Sequence, residues 1–375
     1  MTQQYAVEAE KYNNNQVLLN LVRASKGMPL TFMDIPNIIG SGSVQTSPAL
    51  IRNLTNFGGA TTGINESLVF NLNRMFGFTQ GSLDNADFQR TFVTILPLET
   101  VNFFQDRGVS NELLLSLVID RADVRLADGT EFTLINDPNH PTFAEFQSGL
   151  RLYVSAGFRT EISMSLAPVG PPLTRGELTG QGGIANLVPL LPSGAVFQPA
   201  GEINGVPAFQ TFISVPTARF CFQNMSGKFR EIKEVFGKQM KCASIFGPPE
   251  AQDASQIEGE PEPAGKSTLA ITLRSPRDVF VYLGKLIALQ RKDPTKIVKI
   301  ADPADPEKLV PLLQIRMGTV SEPDEVATAD YAGETYSISR GDPGFSSAAF
   351  NLATQFFRTS KTANAIPKSP AILVR

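Results

Sequence analysis

The sequence predicts an α+β protein, and three observations carry that class. Residues 86 to 124, ADFQRTFVTILPLETVNFFQDRGVSNELLLSLVIDRADV, read as a strand, a helix, a tight turn and a second helix: a helical hairpin on a small sheet. Asp128-Gly129 sits between Val124–Leu126 and Glu131–Ile135, the pattern of a β-hairpin with a tight turn. Residues 265 to 375 alternate strand and helix in the order β-α-β-β-β-α-β, close to a split βαβ arrangement. No stretch names a reaction.

In chain order, Ala6 to Ala24 is predicted helical, with Val7, Leu18, Leu19, Leu21 and Val22 as its apolar face and an irregularity at Asn13 to Asn15. Leu30 to Ile35 suggests a strand after a turn. Gly40 to Gly81 is rich in Gly, Ser, Thr and Asn, with Phe57, Phe70, Phe76 and Phe78 scattered through it. It reads as short strands and exposed loops, an arm suited to pack on a neighbour.

Phe88, Phe92 and Leu96 alternate with Gln89, Val93 and Ile95, as in a strand entering a core. Pro97 has the fixed φ of a first helical residue, and Leu98, Val101 and Phe104 mark one helical face up to the stop at Gly108. Ser110 caps a second helix carrying Leu113, Leu114, Leu117 and Val118. Pro141 to Ala156 is predicted helical and Arg159 to Leu166 a strand.

The expected organisation has five parts. An N-terminal α+β domain spans 1–166, and a Gly/Pro-rich connection without periodicity spans 167–206. A strand-helix segment follows over 207–246, then an acidic, Pro-rich linker over 247–264 and a C-terminal α+β domain over 265–375. In the last of these, Leu269 to Leu273 is a strand and Pro276 to Gln290 a helix. Leu312 to Met317 is a strand, Ala327–Ile338 a hairpin about Ala332-Gly333, Phe345 to Arg358 a helix, and Ala371 to Val374 a final strand.

Composition narrows the function classes. Charged residues are 18% of the chain, against about 25% in a typical domain, so Asn, Gln, Ser and Thr supply the polar surface. The net charge of −3 offers no basic field for nucleic acid. The helical hairpin is not a DNA reader, because its second helix carries Glu112 and Asp120 rather than a basic face. The run Val17 to Val22 is too short for a signal core or a membrane span.

Cys221 and Cys242 flank a predicted helix, SGKFREIKEVFGKQMK, capped by Ser226. In an oxidising compartment the two can pair, closing a loop worth about 3 kcal/mol on the chain-entropy model; in a reducing one they are buried thiols. They are expected to be bonded or close together.

Other motifs that resemble chemistry lack their context. Gly265-Lys266-Ser267-Thr268 resembles the end of a phosphate loop, but Glu260 stands where the first glycine belongs and Pro261 and Pro263 interrupt. Gly180-Gln181-Gly182-Gly183 follows no strand and reads as loop. His140, the single histidine, lies in a turn, with no nucleophile elbow elsewhere. Asp302, Asp305 and Glu307 fall among prolines rather than in a calcium loop. Lys228, Arg230, Lys233, Lys238 and Lys241 give one helix a basic side that Glu231 and Glu234 dilute. No catalytic residue, cofactor or metal is expected.

Three stretches carry a family resemblance, in the same order from end to end. They are KYNNNQVLLNLVRASKGMPLTFMDIPNI, LPLETVNFFQDRGVSNELLLSLVIDR, and DYAGETYSISRGDPGFSSAAFNLATQFFRTSKTANAIPKSPAILV. Together they resemble a family of uncharacterised proteobacterial outer-membrane lipoproteins with an "LLLNLVR" opening and a "YRGxxYxI" hairpin near the end. No activity is assigned to that family, so the resemblance implies location and architecture. It implies a periplasmic protein anchored to the outer membrane by a lipidated cysteine, with the signal segment removed here and Met1 an added start.

The expected function is a non-enzymatic structural or assembly component working as a homo-oligomer, with its membrane contact made only through the lipid anchor. The alternatives are an envelope glycan hydrolase with a carboxylate pair about 5–9.5 Å apart, or a virion or shell protein.

Overall fold

A computed structural model describes residues 2–49, 67–82, 86–126, 128–180, 195–224, 240–242, 267–318 and 324–361. The architecture is α+β, with several small antiparallel sheets around helices. The chain opens with α1 (Thr2–Ser25), then β1 (Met33–Ala49) and β2 (Ser67–Ser82). Next come α2 (Ala86–Val93), α3 (Leu98–Asp106), α4 (Asn111–Val118), β3 (Ile119–Arg125), β4 (Glu131–Ile135) and α5 (Phe143–Ser155). After these are β5 (Phe158–Thr174), α6 (Arg175–Thr179), β6 (Val196–Ile203) and β7 (Val206–Phe222). The last group is β8 (Thr268–Leu273), α7 (Pro276–Lys292), β9 (Lys299–Asp302), β10 (Asp305–Pro311), β11 (Arg316–Met317), β12 (Glu325–Tyr331), β13 (Glu334–Ser339) and α8 (Ser346–Thr359).

α1 buries Val17, Leu18, Leu21 and Val22 on one stripe. It crosses α7 so closely that Gly284 lies against the backbone of Ala24 and Ser25. The irregularity expected at Asn13 to Asn15 is absent: α1 runs straight through, and the asparagines pair with β12. Asn14 donates to the Val326 carbonyl (3.3 Å), and Asn15 accepts from the Thr328 N–H (2.9 Å).

Residues 86 to 93 form helix α2, not the expected strand. Phe88 and Phe92 stand one turn apart and stack with ring centroids 5.1 Å apart. Val93 and Ile95, between the supposed inward positions, are exposed. The helical period wins because both rings enter one aromatic cluster with Phe32, Phe280 and Phe357. The hairpin of α3 and α4 follows and passes directly into β3, which is the centre of a sheet ordered β4-β3-β8.

That sheet joins regions expected to be separate. β8 comes from the C-terminal region, yet it pairs antiparallel with β3, from Ile119↔Leu273 to Arg125↔Thr268. β8 therefore leaves the expected split βαβ sheet, and β12 and β13 form their own three-stranded sheet with β11. The expected strand Leu312 to Met317 shrinks to Arg316–Met317, because Leu312 and Leu313 turn into the core. A single apolar core runs from Val17 to Phe357 and spans both regions.

The expected connection at 167–206 is also revised: residues 167 to 174 extend β5, and β6 covers Val196–Ile203. The expected linker 247–264, the predicted helix between the cysteines and the final strand at Ala371 to Val374 lie outside the described residues.

Candidate functional site

Two long ribbons leave this core. β1 and β2 pair over their whole length, from Met33↔Ser82 to Ala49↔Ser67, and form a two-stranded sheet. Opposed residues of an antiparallel pair share a face, and faces alternate along each strand.

β5 and β7 make the second ribbon, from Phe158↔Phe222 to Thr174↔Ala208, and β6 adds to β7 at its distal end. One face carries exposed apolar side chains, and the other mixes Ser163, Ser165 and Thr217 with Ala167, Val169, Ile213 and Val215. Ile162, Met164 and Leu166 share one face with Pro216 and Ala218 and stand 53%, 56% and 42% exposed. Ser163 and Ser165, on the opposite face, are half-buried, and the Ser165 hydroxyl lies 2.6 Å from that of Thr217. From Ile162 to Thr174 and from Val206 to Ala218 neither strand holds a charged residue. Charges bound the stretch at both ends: Arg159, Glu161 and Arg219 at the root, Arg175 and Glu177 at the tip.

The root of the second ribbon is packed into the body. Phe158 is buried and stacks on Phe220 at 5.1 Å, with Tyr153 and Phe222 against it. Burial pushes the Tyr153 hydroxyl above its ordinary pKa. Thr160 is fully buried and bonded through its N–H and hydroxyl to Gln105 of α3. Glu161 pairs with Arg219 at 2.6 Å. Cys221 and Cys242 are joined in a disulfide, Cα–Cα 4.8 Å, and Arg219 also donates to the Lys241 carbonyl. The bond fixes residues 241 and 242 beside the end of β7. Phe32, at the root of the first ribbon, stacks on Phe357 at 4.3 Å. Phe104 of α3 meets Phe356, the neighbouring residue of α8, at 5.3 Å.

A buried polar cluster is built on Arg274, between β8 and α7. Its guanidinium is 3% exposed and lies 4.0 Å over the ring of Tyr282. It donates to the carbonyls of Ser116, Leu117 and Asn136 and stands 3.4 Å from Asp120. Burial lowers its pKa, against the raising influence of Tyr282, Asp120, Asp137 and Asp278. Burial likewise pushes the Tyr282 hydroxyl up to about 12. Asp137 pairs with Lys285 at 2.6 Å. Each acid here is matched to a cation or to backbone, the pattern of a clamp between segments. Glu112 plays the same part elsewhere, tying Arg151 to the Ala301 N–H.

No family model, no curated protein and no solved structure matches the chain.

The motifs singled out in the sequence are not gathered by the fold. His140 lies in the turn before α5, with its Nδ1 2.9 Å from the Thr142 hydroxyl. Asp302 and Asp305 oppose each other in the turn of the β9–β10 hairpin, and the Asp302 carboxylate accepts from the Ala304 N–H. Glu307 is exposed on β10. Thr268 begins β8, while Gly265 and Lys266 lie outside the described residues. Gly180 ends α6, while residues 181–183 lie outside them, as do Lys228, Arg230, Lys233 and Lys238; Lys241 is described. Glu161, Cys221 and Cys242 cluster with spacing suited to a metal, but the sulfurs are spent in the disulfide and the carboxylate in the Arg219 pair. What sequence reading missed is the second ribbon beyond Leu166. Its signal was the Ile162-Met164-Leu166 alternation within an uncharged stretch, which the prolines disguised as loop.

Proposed function

We propose that the protein is a non-enzymatic structural or assembly component of the cell envelope, on the periplasmic side of the outer membrane, working as a homo-oligomer. The observation that carries this reading is the β5–β7 ribbon, on which Ile162, Met164 and Leu166 stand exposed on one face. Contiguous exposed apolar surface marks a site of association, and a free strand edge is a template for pairing with another chain. Among the described strands none pairs with the outer edge of β5, β1 or β2. The low charge of the chain weakens repulsion between copies. The polar clusters of the body support a structural part, since Arg274, Glu112 and Asp137 each fasten separate segments together. The envelope location rests on the family resemblance.

Light scattering after size exclusion, on the full chain at micromolar concentration, tests the oligomer. A stable multiple of the 40.6 kDa chain mass is expected. A single species at the monomer mass, unchanged on adding membrane lipid, would refute the reading.

A further inference from the structure

We infer that Glu161, Cys221 and Cys242 become a zinc site when the disulfide is reduced, so that an ion takes over the junction that the covalent bond holds in the oxidised chain. The inference stands apart from the oligomeric reading above.

The three side chains meet at the root of the second ribbon. Glu161 on β5 lies opposite Arg219 on β7, and Cys221 follows two residues along on the same face. Cys242 comes from residues 240–242, which lie beside the end of β7. Lys241 bridges Phe222 in parallel, and the Cys242 N–H donates to the Phe222 carbonyl (3.0 Å). A carboxylate oxygen and the two sulfurs lie within 4.8 Å of one another. Cys221 is buried, while Glu161 and Cys242 are half-buried, which keeps water within reach as a fourth ligand.

Two thiolates and a carboxylate are a donor set for zinc, which binds sulfur at about 2.3 Å and oxygen at about 2.0–2.2 Å in a tetrahedron. Thiolates on such an ion stand about 3.8 Å apart. Cα atoms 4.8 Å apart let both sulfurs turn to that spacing. Calcium and magnesium, which take oxygen ligands, do not suit the set. Charge favours the ion as well. The three ligands carry three negative charges, zinc brings two positive ones, and the Arg219 guanidinium balances the remainder. Arg219 also spans the site, since it pairs with Glu161 at 2.6 Å and donates to the Lys241 carbonyl at 2.9 Å. A carboxylate has two oxygens, so one can serve the guanidinium and the other the ion. Arg219 is thus a positioning residue that orients a ligand from behind.

The disulfide and the ion exclude each other. While the S–S bond stands, neither sulfur is a thiolate, and the thiolate is the form that binds metal. A thiol reductant opens the bond by exchange: the disulfide and two R–SH give two cysteine thiols and R–S–S–R. Zinc then displaces the two thiol protons and binds both sulfurs, so its affinity rises with pH. The junction between β7 and residues 240–242 is therefore tied covalently in an oxidising medium and by metal in a reducing one.

The test uses the full chain, reduced with a phosphine that leaves as its oxide and competes little for metal. Cobalt(II) is the probe, because its visible bands report a tetrahedral site. The reduced protein should take up one cobalt ion per chain, with tetrahedral bands and a thiolate charge-transfer band that added zinc abolishes. The oxidised protein should show neither band. Glu161→Gln should weaken cobalt binding at least about tenfold. Zinc should also slow alkylation of both thiols of the reduced native protein by iodoacetamide, read by mass spectrometry without any variant. Absence of tetrahedral bands in the folded, reduced protein would overturn the site, as would equal cobalt affinity in the reduced chain unfolded in urea. Unchanged affinity in a Glu161→Gln variant that folds by circular dichroism would overturn the three-ligand site and leave only a pair of thiols. If that variant does not fold, alkylation of the native thiols at the same rate with and without zinc overturns the site on its own.

Discussion

Gly284 offers a test in which two known effects oppose each other. It sits within α7, where alanine is the better helix former by about 1 kcal/mol. A β-carbon built there would lie 2.6 Å from the Ala24 Cβ, 2.8 Å from the Ala24 carbonyl carbon and 2.9 Å from the Ser25 nitrogen. Carbon atoms rest at about 3.5–4.0 Å, so the overlap is roughly 1 Å. Two of those three atoms are backbone, and α1 is held there by Val17, Leu18, Leu21 and Val22, all fully buried. Relief requires moving a helix rather than turning a side chain, at a cost in the upper part of the roughly 1–3 kcal/mol range for overpacking. Gly284→Ala should therefore destabilise by about 1–2 kcal/mol net. Gly149, within α5, is the control: its added β-carbon would meet only Leu134 Cδ1, at 4.0 Å. Gly149→Ala should stabilise by up to about 1 kcal/mol. Urea unfolding followed by circular dichroism compares the midpoints at unchanged slope. A Gly284→Ala midpoint at or above that of the native protein would refute the reasoning about the α1–α7 crossing.

Reduction of the Cys221–Cys242 bond, sequence separation 21, should lower stability by about 3 kcal/mol, read as a fall in melting temperature with dithiothreitol that a Cys221→Ser/Cys242→Ser variant no longer shows. Arg274→Met should cost about 3 kcal/mol or more, since it strips the donor from the Ser116, Leu117 and Asn136 carbonyls; an unchanged urea midpoint would contradict the clamp. Burial alone would raise the Asp137 pKa, but the hydrogen bonds from Lys285 and the Asn139 N–H, with the charges of Lys285 and Arg274, outweigh it and hold the carboxyl below its ordinary value. A lowered folded pKa contributes stability above the unfolded value near 3.9, and that contribution is lost as pH falls through the folded one. Lys285→Met should thus destabilise at neutral pH, and the gap to the native protein should close in urea titrations below about pH 4.

Elements with a cap and an apolar stripe were legible in the sequence. α7 begins where Ser275 accepts from the Asp278 N–H ahead of Pro276, and Val279, Phe280, Leu283 and Ile287 are buried as their spacing implies. The β12–β13 hairpin turns at Ala332 and Gly333, both at positive φ, as a two-residue turn of that type requires. Phe88 to Leu96 was misread because two phenylalanines four apart satisfy a strand period and a helix period equally; their common burial against Phe32 decides, and that is tertiary. The partner of β8 was equally out of reach, since a strand's own residues do not say which edge it joins. At the candidate site the prolines misled: Pro168, Pro171 and Pro172 read as loop, yet the ladder resumes past a bulge between Val169 and Leu173.

The pairing of β8 with β3 and the contact of Phe32 with Phe357 set an order in time. A chain emerging from the ribosome N-terminus first makes β3 long before β8, and Phe32 more than three hundred residues before its stacking partner. Until β8 arrives the central sheet lacks an edge, and until Phe357 arrives the aromatic cluster is open. The nascent molecule therefore displays Ile162, Met164 and Leu166 together with an unfinished core, and loops of this span close slowly. Truncation before residue 357 removes the stacking partner of Phe32 and leaves a product prone to aggregate, however much of the N-terminal region it keeps.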